Sequence, residues 1–452
     1  MIFNQKKMII IRNLFIFIFF CGCVKSELPV ENRSYKLNHI KSFGGSNDDE
    51  ANDIINTSDG GFMVIGSSKS SDGWFQNKMG LESDIILMKF DRSKSIEWVK
   101  NYGGSRDDRG QSVVEVSGIG YALLGYSMSD DGDVSKNEGF HDNWVILIDP
   151  KGNIIWEKSY GFSGHDHAYN IIKTRDGNLF FNGFLDVTAS RGLGSTKKMG
   201  KPIKHGVGEF WCHKIDLEGN ILWRKYFGGT NNDRSYDSIE TAEGDFILVG
   251  SSESSDNDIS SPKGSYDIWV VKLTSKGDFL WERSYGGSKY ETANSIIQSS
   301  DNKIYILGST LSNDKDISFQ MGSSDFWLLT LDLDGNLLSE QTFGGSNFDK
   351  GKKIEIDNKD NIWLTGYSRS TDFEFSFNKG KNDAVLIQLS KNRILKEIFE
   401  IGAEGEDIAN SLIHFNENEI IVAGYSDSKE DFFVENNGGK DIFLAFLNRF
   451  PE

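Results

Sequence analysis

The 452-residue sequence predicts an all-β fold, a seven-bladed β-propeller of four-stranded antiparallel blades closed by an N-terminal strand that completes the last blade. Three observations predict it. First, an aromatic-Gly-Gly-Ser motif recurs as Phe43-Gly44-Gly45-Ser46, Tyr102-Gly103-Gly104-Ser105, Tyr160-Gly161-Phe162-Ser163, Phe227-Gly228-Gly229-Thr230, Tyr285-Gly286-Gly287-Ser288, Phe343-Gly344-Gly345-Ser346 and Ile401-Gly402-Ala403. Its first glycines lie 59, 58, 67, 58, 58 and 58 residues apart, the mark of an internal repeat. Second, another glycine follows each by 22 residues, at Gly66, Gly125, Gly183, Gly250, Gly308, Gly366 and Gly424. Third, the last unit stops one strand short, and a matching strand stands before the first motif.

At the N-terminus, Lys6, Lys7 and Arg12 precede a short apolar run, 14–20, that ends at Cys21-Gly22-Cys23. A charged start and a greasy segment too short to span a bilayer make a secretory signal. The small residues before Cys23 resemble a bacterial lipobox, with Phe20 where leucine is usual; the resemblance implies lipidation of Cys23. The expected organisation is a lipoprotein signal peptide over 1–22, a tether over 23–34 and the propeller over 35–452. Cys212 is then the sole internal cysteine, and no internal disulfide is expected.

Within the first unit, 51–57 carries the pair Ile54-Ile55, the turn Ser58-Asp59-Gly60-Gly61 reverses the chain, and 62–66 runs back: a hairpin of strands A and B. A long polar loop leads to strand C at 84–88, and a short turn leads to strand D at Ile96-Glu97-Trp98-Val99. Later units spell that turn as Lys151-Gly152-Asn153, Glu218-Gly219-Asn220 and Asp334-Gly335-Asn336. Such a unit cannot bury both faces alone, so the units must stack. The last reaches strand C at 441–446 and ends; 35–42 aligns with strand D and closes the ring, leaving no unpaired edge.

Composition agrees. Forty-eight glycines, 12% aromatics and only five prolines suit short strands joined by glycine turns. Forty-nine basic against 67 acidic residues leave a net charge of -18, which repels phosphate backbones and excludes a nucleic-acid binder or a polybasic membrane surface. Any membrane contact is expected through the lipid alone.

The segment 149–163, read as Asp-x-x-Gly-Asn-Ile-Ile-Trp-x-Lys-x-Tyr-Gly-Gly-Ser with Phe162 for the second glycine, resembles the β-propeller repeats of secreted and lipid-anchored bacterial proteins. The resemblance covers the mature chain and implies the fold and an envelope location, the outer membrane of a Gram-negative cell, without implying an activity. Gly-Asn-Ile-Ile-Trp is also similar to the tryptophan-docking motif of quinoprotein dehydrogenases, whose eight blades, vicinal cysteines and calcium site this sequence lacks.

Features repeated in every unit are read as structural. Eight of ten tryptophans fall at two positions, Trp144, Trp211, Trp269 and Trp327 in strand C and Trp98, Trp156, Trp223 and Trp281 in strand D, where they are expected to pack blade on blade. An acid stands five residues after each first glycine: Asp49, Asp108, Asp166, Asp233, Glu291, Asp349 and Asp407. These seven are expected to accept backbone N–H bonds from their own turn, with a ring of ligand-binding acids at the channel mouth as the competing reading. A second set, Asp84, Asp142, Glu209, Asp267, Asp325, Asp383 and Asp441, opens strand C and is read the same way. The runs Asp131-Gly132-Asp133, Asp256-Asn257-Asp258 and Asp314-Lys315-Asp316 miss calcium-loop spacing and are read as solvated turns.

Exceptions carry the functional signal. Blade 3 has Phe162 for a glycine, nine extra residues and four of the seven histidines. His165 and His167 in its D-to-A loop, His205 in its enlarged B-to-C loop, and the basic insert Arg191, Lys197, Lys198, Lys201 and Lys204 are the candidate ligand-binding residues. His-x-His with a third histidine is a donor set for zinc or copper, yet a solvated insertion with incidental histidines is the preferred reading, and neither metal nor cofactor is expected. His213 beside Cys212 is read as a strand residue. The expected function is a non-enzymatic, lipid-anchored extracytoplasmic module that presents its loop-rich face to a glycan, peptide or protein partner. A propeller hydrolase or lyase acting on polysaccharide is the alternative; no catalytic residue is assigned.

Overall fold

In the computed structural model, described over residues 34–76, 78–195, 205–206 and 208–450, seven four-stranded antiparallel sheets stand around one axis. The predicted signal and tether, 1–34, lie outside these residues except for Ser34. Strand A of each blade lines the axis: Asp49–Asn56, Asp108–Val116, His167–Lys173, Asp233–Glu240, Glu291–Gln298, Asp349–Ile356 and Asp407–Asn416. The seventh sheet pairs Tyr35–Phe43 with Asp441–Arg449, so the first strand of the chain closes the ring as the outer strand of the last blade.

Strands B and C are buried along their length, as in Phe62–Ser68 and Asp84–Phe90, and supply the core between blades. Trp144 of blade 2 packs with Met63, Ile65 and Leu87 of blade 1, so the tryptophans join neighbouring sheets as the sequence predicts. The strand C indoles are buried, and Trp144 Nε1 donates to Glu157 at 2.7 Å. The strand D indoles are half-buried, and Trp156 Nε1 donates to the Leu217 carbonyl of the next blade. The motif aromatic works similarly: Tyr102 Oη donates to the Gly152 carbonyl at 2.8 Å, and Tyr160 Oη to Gly219 at 2.7 Å.

Both glycines of the repeat have steric causes. Strand A bulges two residues beyond its acid, with the register slipping between Ala51 and Asp53 and at the matching place in every blade. In blade 1 a Cβ on Gly66 would stand 1.9 Å from the Glu50 carbonyl oxygen. A Cβ on Gly44 would lie 2.3 Å from the Asp441 carboxylate.

The acids hold the loops. Asp49 accepts from Gly45 N at 2.8 Å and from Ser70 Oγ at 2.8 Å; Asp349 accepts from Gly345 N at 2.8 Å and from Ser370 Oγ at 2.8 Å. The Asp-x-Asp runs lie in turns, Asp131 and Asp133 exposed as expected, and they also grip the same Gly-Gly-Ser backbone: Asp131 accepts from Ser105 N at 2.8 Å and Asp133 from Gly103 N at 3.2 Å. A strand C acid takes the N–H four residues before it, as Asp325 does from Met321 at 2.8 Å. The D-to-A and B-to-C loops are thereby tied together on one face of the ring.

One further bond links neighbours. The residue before strand C offers its carbonyl to the N–H of the next blade's strand A acid, as His141 O does to Asp166 N at 2.7 Å and Lys440 O to Asp49 N at 2.6 Å across the closing seam. The loop face is one connected rim.

Candidate functional site at the channel mouth

Fold symmetry fixes where side chains enter the channel, and composition breaks that symmetry. The residue after each strand A acid meets the loop face first; in order these are Glu50, Arg109, His167, Arg234, Thr292, Lys350 and Ile408. The bulged residue comes next: Asn52, Gln111, Tyr169, Tyr236, Asn294, Lys352 and Asn410. Three of these asparagines staple blades, since Asn52, Asn294 and Asn410 donate Nδ2 to the carbonyls of Gly110, Gly351 and Ala51 at 2.7, 2.7 and 2.8 Å. Tyr169, Tyr236 and Lys352 stand where that staple is absent.

Deeper lie Asp53, Ser112, Asn170, Asp237, Ser295, Lys353 and Ser411. Here Asp53 accepts from Ser411 Oγ at 3.0 Å, and Asp237 accepts from Ser295 Oγ at 2.9 Å and Ile296 N at 3.0 Å. Burial disfavours a charged Lys353, yet Asp237, Asp53 and Glu355 hold its ammonium above the ordinary lysine range. The last layer before the opposite face is aliphatic, Ile55, Val114, Ile172, Ile239, Ile297 and Ile413, broken only by Glu355, whose carboxyl burial raises to about 7 against the pull of Lys353.

Above this layer the channel holds a cavity of about 310 Å³ lined by Tyr169, Tyr236, Tyr290, Lys350, Lys352 and Lys353 among other polar side chains. Burial, then the charge of Lys350, brings the Lys352 ammonium down to about 8, while Glu50 and Glu406 pull it upward. Those two acids are engaged by Lys440, 3.0 Å from Glu50 and 3.3 Å from Glu406. Lys350 is likewise pushed down by burial. On a molecule of charge -18, one side of the channel mouth is therefore basic. A second cavity, of about 380 Å³, opens between blades 6 and 7 on the opposite face beside Ser34 and Arg449, and its walls are mostly turn residues such as Asn358 and Lys359.

The blade 3 residues divide. His165 and His167 come together with His141 of blade 2, their donor atoms all within 4.8 Å. The Nδ1 atoms of His141 and His165 are 3.0 Å apart, and His141 Nε2 lies 3.3 Å from Asp107 Oδ2. Burial, then His141 and His165, lowers His167 to about 3; burial and His141 lower His165. Burial opposes it, but the bonds from His141 and Arg109 hold Asp107 down at about 2.

His205, the third histidine expected from the sequence, stands elsewhere: its Nδ1 lies 3.3 Å from Glu209 Oε2, both side chains buried, with Tyr226 edge-on to the ring. Arg191 is exposed, in a left-handed conformation that ends the short helix Val187–Ser190. Lys197, Lys198, Lys201 and Lys204 lie outside the described residues. The seven strand A acids do not line the channel; each is fully buried at the root of its loop. His213 is a buried strand residue stacked on Phe181.

Sequence reasoning missed His141 and the channel lysines. Period arithmetic holds the signal for His141, because the residue before strand C bonds to the next blade's acid, and that acid here is Asp166, between His165 and His167. The lysines are legible as departures from the other blades at fixed positions of strand A.

No protein-family model matches the chain, and no curated protein does. Solved structures that resemble it include the Pan2 WD40 domain of Neurospora crassa, 9% identical, covering 92% of this chain and 96% of that one with a TM-score of 0.49. Sqt1 from Chaetomium thermophilum is 10% identical, covering 92% and 100% at 0.44. A Synechocystis apocarotenoid oxygenase is 9% identical, covering 91% and 95% at 0.45.

Proposed function

We propose that the protein is a lipid-anchored, extracytoplasmic binding module, of the kind built from secreted bacterial propeller repeats, and that its channel mouth takes an acidic saccharide. The observation that carries this reading is the pair Lys350 and Lys352, partly buried beside Tyr169, Tyr236 and Tyr290 with no carboxylate at ion-pair distance among the described residues. Half-buried ammonium groups without counter-ions favour an anionic ligand, aromatic faces suit the apolar face of a sugar ring, and Gln111 and Asn294 offer hydrogen bonds to hydroxyls. The charge of the whole molecule repels polyanions such as nucleic acid, whereas a short uronate chain meets only the local field.

Orientation agrees with an anchor at Cys23. The closing strand Tyr35–Phe43 runs toward the loop face, so its start at Ser34 belongs to the tight-turn face. A lipid there would turn the channel mouth away from the membrane.

A panel of neutral and uronate-bearing oligosaccharides tests the ligand. Binding to the uronates, weakened at least about ten-fold in Lys350→Ala and Lys352→Ala with melting temperatures preserved, is the expected result. Equal binding of neutral chains would sink the ligand class, and turnover of polyuronate would replace the module by a lyase. Fractionation of Cys23→Ala reads the anchor separately, the variant being expected in the soluble pool.

A further inference from the structure

The rim between blades 2 and 3 carries a second arrangement, independent of the lysines. We propose that His141, His165 and His167 form a three-imidazole site for a first-row divalent cation, zinc foremost, with a coordination position left open to solvent on the loop face.

Four observations carry it. The donor atoms lie within 4.8 Å of one another. Tetrahedral zinc, with Zn–N bonds of about 2.0–2.1 Å, sets its nitrogens about 3.4 Å apart, so the 3.0 Å between His141 Nδ1 and His165 Nδ1 needs only a small adjustment. Asp107 holds the far nitrogen of His141, the carboxylate–histidine arrangement that orients a ligating imidazole and raises its basicity. Arg109 in turn holds Asp107 at 3.0 Å. Finally, His167 Nε2 is buried without a hydrogen-bond partner among the described residues.

Packing makes the rings rigid. His167 stacks on Tyr126 at 4.0 Å between centroids, and His165 stacks on Phe140 at 4.8 Å. The loops that bear them are tied by the bonds from Asp166 N to His141 O and from Phe140 N to Gly164 O. Three nitrogen donors without an inner carboxylate suit zinc, copper or nickel and disfavour calcium and magnesium, which take oxygen. His165 is exposed, and the fourth position falls on that side.

The test uses the untagged full chain, stripped with chelator and titrated with zinc sulfate alone, followed by metal analysis after dialysis. One zinc per chain is expected, with affinity reduced at least about ten-fold in His165→Ala and in His141→Ala, and by about ten-fold or more in Asp107→Asn. Cobalt in place of zinc should show the visible bands of a four-coordinate ion, lost in the same variants. Because His165 is exposed, its removal leaves the fold intact, and melting curves verify this. A chain that retains no zinc, or whose zinc binding is unchanged in both His165→Ala and His167→Ala, overturns the site.

Discussion

At the scale of single residues, the buried acids separate structure from ligand chemistry. Asp233 accepts from Gly229 N at 2.7 Å and from Ser254 Oγ at 2.9 Å, and it is fully buried. Asp233→Ala leaves both donors without their acceptor and is expected to cost about 1–2 kcal/mol in chemical denaturation, while changing saccharide binding only indirectly. A variant as stable as the parent but unable to bind would return the acids to the ligand. The role of this acid is legible in sequence, since a requirement present in every blade appears in every repeat. The role of His141 becomes legible only once the bond from the residue before strand C to the next blade's acid is known, because its partners His165 and His167 belong to the next blade.

At the scale of elements, the outer strand of the last blade is the weak join. Tyr35–Phe43 buries Tyr35 and Phe43 and covers the edge of Asp441–Arg449, and Tyr35 meets Trp363 of the neighbouring blade edge-on at 5.2 Å. At about 1.5–3 kcal/mol for a fully buried large apolar side chain, deletion of 35–42, which removes buried Tyr35 and the partly buried Leu37 and Ile40, should cost about 3–6 kcal/mol or more once the freed edge is counted. Denaturant titration of the truncated chain measures it. An unchanged midpoint would mean that the seventh sheet is complete without this strand. Alignment of the two termini suffices to predict this pairing, since the repeat count leaves one strand missing at one end and one spare at the other.

Across the whole molecule, seven junctions each bury two carboxylates, one from strand A and one from the preceding blade's strand C, on either side of the first glycine. Burial raises Asp84 to about 8, Asp166 and Asp325 to about 7, and Asp49, Asp142, Asp233, Asp267, Asp383 and Asp407 to about 6. Raised carboxyls hold protons in the folded chain that the unfolded chain has lost, so their stabilisation is complete at low pH and disappears as pH climbs through the folded values. Below pH 6.5 the buried histidines, His167 among them, act oppositely, because the unfolded chain takes up protons that the folded chain refuses. Between pH 6.5 and 8 the raised carboxyls, Glu355 among them, outnumber the opposing lysine Lys352, whose ammonium, brought down to about 8, sheds its proton and favours the fold only toward the top of the interval. Melting temperature should therefore fall steadily across that interval at constant ionic strength, and a rise would show that the junction acids stay ionised throughout.

The amino-acid sequence by itself determined the blade number, the strand order within a blade, the closing strand and the structural duty of repeated residues. It could do so because each follows from local period and from a steric need met seven times, such as the carbonyl oxygen that bars a side chain at Gly66. The channel chemistry was decided only by tertiary structure. Lys350 and Lys352 share one strand yet face Tyr169 and Tyr236, which come from blades more than a hundred residues away in the chain. His141 meets His165 across a blade junction, where one backbone bond sets the register of two loops. Ring closure juxtaposes residues by angular position around the axis, a coordinate that spacing along the chain encodes only once the blades are known to be neighbours.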